Sequence, residues 1–183
     1  GIFNPNFRTG TFESDQKFLE NMAVFSLILE GIFFYSSFAV MFGFQRQNKM
    51  PGSAEQIQYI MRDESQHLNF GINLINAIKE EQPELWTPEF QQHIVDLIRK
   101  AVVLEYTFAQ EVFPRGIFGM NAEGFKQYIE HVADRRLERV GLPVQYHAEN
   151  PFPWMSEAVD LSKEKNFFET RVTEYKVGGA LEW

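Results

Sequence analysis

The sequence predicts an all-α fold of bundle type, on three observations. Residues 23–44, AVFSLILEGIFFYSSFAVMFGF, form a long apolar run with no proline to break a helix. Downstream segments repeat apolar residues at three-and-four spacing, the period of a helix with one buried face. No run of alternating polar and apolar residues is long enough to build a sheet.

Taken in order, the elements are these. Asn4, Pro5, Asn6 and Gly10 are turn formers, so residues 1–13 read as an irregular lead-in. Ser14 or Asp15 is placed to cap a first helix that ends near Gln45; at about 1.5 Å per residue it spans on the order of 45 Å. MPGSAEQ interrupts the chain, with Ser53 and Gln56 at capping-box spacing. A second helix then runs to about Glu81, its apolar positions Ile57, Ile60, Met61, Leu68, Ile72, Ile75 and Ile78 keeping mostly three-and-four spacing. Thr87 as cap and Pro88 at the first helical position start a third helix, which reaches Pro114. Asn121 caps a fourth, stopped by Gly141 and Pro143. The loop ENPFPWM follows, and a tail of about residues 166–183 shows no clean period.

Composition narrows the function classes. A chain of 183 residues fits one domain, and 44% hydrophobic residues with 19 Phe indicate large buried surfaces rather than disorder. The opening GIFNPNFRTG lacks a basic leader with a cleavage site and reads as the middle of a longer chain. Net charge is −8 and the basic residues are dispersed, apart from Arg135, Arg136 and Arg139, so a nucleic-acid partner is not expected. With no Cys, disulfides, thiolate ligands and Cys nucleophiles are excluded and a cytoplasmic location is expected. Any metal must then be held by His, Asp or Glu.

The apolar run is long enough to cross a bilayer, yet it carries Glu30 in its interior, at a cost of roughly 2 to 3 kcal/mol on insertion scales. It has no second span beside it and no distinct aromatic belt, so it reads as the central helix of a bundle, apolar all round, with no membrane partner. An ionised Glu in such a core needs a counter-charge or a metal. The second helix offers one in MRDESQHLNFG, where Glu64 and His67 stand three apart and leave one helix face together. A Glu on one helix and Glu-x-x-His on another make half the ligand set of dimetal carboxylate bundles. Alone, the Glu-x-x-His spacing also fits a solvated charged face. His93, His131 and His147 stand apart from any such spacing, and Glu105, the best spare carboxylate, has no His beside it. Ser/His/Asp triads, phosphate-binding glycine loops and dinucleotide turns are not evident.

Four blocks, LEGIFFYSSFAVMFGF, YIMRDESQHLNFGINLI, VGLPVQYHAENPFPWM and NFFETRVTEYKVGGALEW, together resemble the C-terminal half of the radical-generating small subunit (R2) of class I ribonucleotide reductase. The resemblance runs over nearly the whole chain and implies a ferritin-like helical bundle. It implies Glu30, Glu64 and His67 as metal ligands, with Phe34, Phe38, Ile57 and Ile60 lining an apolar pocket beside them. Asp63 is implied as a carboxylate that hydrogen-bonds a ligand His of the other half, and Tyr175 as the tail tyrosine that relays an oxidising equivalent to the large catalytic subunit. The cofactor implied is a dinuclear centre of two irons, of manganese and iron, or of two manganese ions. The implied partners are the N-terminal half, as a separate chain or as the rest of one cut or partly represented polypeptide, a second copy in an R2-type dimer, and the large subunit. The first half-set of ligands is absent from these residues, so the site is half complete. Two other readings stay open: an R2-like dimetal oxidase or monooxygenase with its own substrate, and a metal-free helical scaffold.

Overall fold

A computed structural model describes residues 5–117 and 119–156. Among them the chain is helical, with no strand beyond an isolated bridge between Ile117 and Met120 in one turn. The five α-helices are α1 (Phe12–Ala23), α2 (Phe34–Arg46), α3 (Pro51–Glu81), α4 (Pro88–Val112) and α5 (Ala122–Arg139).

The first helix starts earlier than Ser14 or Asp15. Thr11 is the cap: its Oγ1 accepts the Ser14 amide at 3.2 Å, and Ser14 Oγ accepts the Thr11 amide at 3.0 Å. Ser14 therefore fills the reciprocal position of a capping box, three residues inside the helix. α3 likewise begins before Ser53. Met50 sits in the left-handed region at φ 50° and Pro51 takes the first helical position, where its missing N–H costs nothing. Ser53 and Gln56 thus lie within the helix, which has no side-chain cap.

The other two starts are as expected. Thr87 Oγ1 accepts the Phe90 amide at 3.2 Å with Pro88 following, and Asn121 Oδ1 accepts the Gly124 amide at 2.7 Å. Gly141, at φ 74°, ends α5 in the left-handed turn that suits glycine, and the Leu142 amide bonds back to the Leu137 carbonyl at 2.9 Å.

α1 does not pass into α2 as a regular helix. Residues Val24–Phe33 between them form a ten-residue π-helix, closed by the Phe34 amide donating to the Leu29 carbonyl five residues back. Wide turns of this kind are rare and occur often at functional sites. The combined rod Phe12–Arg46 is long and apolar enough to cross a membrane by length and composition, but α3, α4 and α5 all pack on its π segment, as on the central helix of a core. Leu27 and Ile32 from this segment are fully buried among Met61, Ile72, Ile98 and Ile129.

α3 approaches the π segment closely because residue 71 is glycine. A Cβ there would stand 2.0 Å from Ser26 Oγ and 2.4 Å from Ser26 Cβ, neither tolerable. At the other end of the core, buried Asp134 of α5 accepts the amides of Gln145 (2.8 Å), Tyr146 (3.0 Å) and Ala148 (3.2 Å), holding the loop after the helix against it.

Gly71→Ala is expected to cost about 1 to 3 kcal/mol, the range for overpacking a tight contact. Urea denaturation measures it. Because Ser26 Cβ is itself in the way, Ser26→Ala should not rescue this variant, whereas Ser26→Gly should recover part of the loss.

Candidate metal centre

Glu30 lies in the π segment, and the segment is what aims it. The residue is 5% exposed, and burial raises its pKa above the ordinary carboxylate value, opposed by His67 and reinforced by Glu64. The two other predicted ligands face it from α3. His67 Nδ1 lies 3.6 Å from Glu30 Oε1 and 3.3 Å from Glu64 Oε2, so one nitrogen contacts both carboxylates. One ligand atom from each of the three residues falls within 4.8 Å of the others. Spacing in the sequence put Glu64 and His67 on one face; the close approach at Gly71 brings that face to Glu30.

This set fits a divalent cation. Two carboxylates and an imidazole are the oxygen and nitrogen donors that iron and manganese accept, and the desolvated Glu30 is a charge that burial penalises until a cation neutralises it. Glu64 is half-buried and the His67 side chain is 59% exposed, so the group sits at an edge of the described residues rather than enclosed within them.

The remaining predicted residues divide. Phe38 is buried, Phe34 is half-buried, and their rings pack at 6.4 Å between centroids, one and two turns beyond Glu30. Ile57 packs against the core, but Ile60 is 44% exposed. Asp63 is exposed and contacts Arg62 Nη2 at 3.3 Å. Tyr175 lies outside the described residues, as does the tail around it.

The other histidines do not join the group. His93 Nε2 faces Glu20 at 3.6 Å, His131 Nδ1 meets the Ala148 carbonyl at 3.0 Å, and His147 is exposed in the loop at φ 51°. Glu105 of α4 is half-buried and accepts a 2.7 Å hydrogen bond from Ser36 Oγ of α2. Burial raises its pKa, the Ser36 bond opposing.

Apolar side chains also stand exposed in patches. Leu104, Phe108 and Val112 form a stripe at four-residue spacing along α4, Ile60 and Phe70 project from α3, and Val24 and Phe25 from the π segment. Sequence reasoning missed the π turns. The one signal that marks a change of helical phase is a break in hydrophobic period, and an all-round apolar run has no period to break.

Comparison with known proteins bears on the whole chain. A family model described as "Ribonucleotide reductase, small chain" matches residues 4–151. A ribonucleoside-diphosphate reductase subunit beta from Chlamydia pneumoniae is 57% identical over 182 residues, covering 100% of this chain and 53% of that protein. A ribonucleoside-diphosphate reductase small chain from Plasmodium falciparum is 37% identical, covering 84% of this chain and 42% of that one. Among solved structures, a ribonucleotide reductase R2 subunit from Clostridium botulinum aligns with a TM-score of 0.73 at 30% identity, over 81% of this chain and 46% of that chain. The chain thus spans about half the length of the curated relatives it matches.

Glu105 is a half-buried carboxylate away from the candidate metal group. Its raised pKa means that the folded state keeps a proton the unfolded chain has lost, so its stabilising contribution is full below 4.5 and declines as pH rises above that value. Glu105→Gln should therefore melt higher than the parent at pH 7, with the difference shrinking toward pH 4. Melting curves across that range measure it.

Proposed function

Because the chain belongs to the ribonucleotide reductase small-chain family, we propose that it supplies half the ligands of a dinuclear metal centre in the radical-generating subunit of ribonucleoside-diphosphate reductase. The observation that carries this reading is the convergence of Glu30, Glu64 and His67, from two helices, to within 4.8 Å of one another. The other donors come from a segment outside these 183 residues, in keeping with a chain that spans about half of its relatives. The exposed apolar patches on α3, α4 and the π segment support such a completing half, since patches of that kind mark interfaces. In this reading residues 1–183 are the C-terminal part of one ferritin-like domain, the assembled subunit is a dimer, and the protein is cytoplasmic.

When bound, iron or manganese ions supply redox chemistry with oxygen species that protein side chains lack. Glu30 holds its charge in a dry environment and gives it to the cation. His67 would bind a metal through a ring nitrogen that carries no proton. Phe38, Phe34 and Ile57 keep water and oxidisable groups away from the ions. Asp63 orients a ligand histidine of the completing half. Tyr175 exchanges the oxidising equivalent with the large subunit, where the nucleotide is reduced.

In the complete assembly, Glu30→Ala is expected to lose most of its metal, read by elemental analysis and anomalous scattering; unchanged occupancy would sink the ligand assignment. Tyr175→Phe should load metal normally yet lose turnover with the large subunit. Full turnover in that variant would remove Tyr175 from the path.

A further inference from the structure

Arg135, Arg136 and Arg139 stand together in the sequence, and the metal reading makes no use of them. On α5 they line a cavity of about 440 Å³ shared with α2, α3 and the segment around Asn150. That volume falls within the roughly 300–1,000 Å³ of small-molecule sites and exceeds what one inorganic phosphate fills.

Arg136 is the most informative of the three. It is 6% exposed, its Nε donates to the Gly31 carbonyl at 2.9 Å, and its guanidinium lies 4.7 Å from the centre of the Tyr35 ring. The ring face offsets part of the cost of burying the cation, and burial lowers its pKa from the ordinary value. Among the described residues no carboxylate lies within ion-pair distance of Arg135, Arg136 or Arg139. Asp134, beside them in sequence, is committed to three backbone amides. A buried guanidinium flanked by two more cations thus has, among the described residues, no anion facing it to supply the counter-charge such groups require.

Other lining groups suit an oxyanion. Since a carbonyl can only accept, the bond from His131 to the Ala148 carbonyl puts a proton on Nδ1 and fixes the ring at the cavity wall. Asn150 and Ser156, joined at 3.2 Å, add neutral donors at the rim. Leu68 and Met155, both buried, add apolar wall. We propose that this cavity binds a phosphorylated small molecule, its phosphate held by the guanidinium groups of Arg135, Arg136 and Arg139 and its organic part against the apolar wall. Phosphate is favoured over a single carboxylate because three guanidiniums outmatch one negative charge, and a planar guanidinium fork pairs well with phosphate oxygens.

The test is isothermal titration of the assembled protein with inorganic pyrophosphate, at ionic strength fixed with chloride so that general screening is constant. Saturable binding is expected, weakened at least tenfold by Arg135→Glu, a change at an exposed position that should leave the fold intact. Arg136→Lys, which keeps a cation but not the fork, should weaken it as well. No saturable binding below about 10 mM would overturn the proposal. So would equal affinity in Arg135→Glu, or acetate competing as well as pyrophosphate, which would assign the cavity to a carboxylate.

Discussion

A carboxylate held in a dry helix is the constraint on which the rest of this structure turns. Glu30 is desolvated on a segment where almost every neighbour is apolar, and the described residues bring it one group able to compensate, His67 of the Glu64 and His67 pair on α3. That pair reaches it through two departures from regular helix packing: ten residues of π-helix that aim Glu30, and a glycine at position 71 that lets α3 close on Ser26. Without a cation, Glu30 and Glu64 are like charges that share one imidazole, and Glu64 raises the cost of ionising Glu30. The arrangement makes little sense as stabilisation and good sense as a binding site.

The same helices present a second charged feature behind the first. Arg136 reaches the carbonyl of Gly31, the direct neighbour of Glu30, and Tyr35 bonds Ser65, the direct neighbour of Glu64, at 2.7 Å. The carboxylate side and the arginine side of the bundle are thus separated by one residue along two elements. A cluster of negative side chains and a cluster of positive ones sit back to back without neutralising each other, because the helix backbones between them fix which face each side chain leaves.

Much of this was legible from particular residues. Pro88 after Thr87, and Asn121 before a helical run, are local chemistry that decides a helix start without help from the rest of the chain. The convergence of Glu30, Glu64 and His67 was legible for a similar reason: a Glu inside an apolar run needs a partner wherever the run packs. The misplaced caps at Ser14 and Ser53 show the limit of that reasoning. Several residues at each start satisfy the local rule, and the winner at α1 was Thr11, with Ser14 serving as its reciprocal partner, while at α3 proline displaced side-chain capping altogether.

By itself, then, the sequence determined the helical class, the order of the helices and the identity of the three converging polar residues, because hydrophobic period, capping chemistry and the cost of buried charge are local or one-body properties. Only the tertiary structure decided the π turns around Glu30, the Gly71 contact that brings α3 to them, and the gathering of three arginines around one cavity. Each of these depends on which faces of distant segments meet, and an all-round apolar run or a short basic cluster carries no information about its neighbours until the chain has folded.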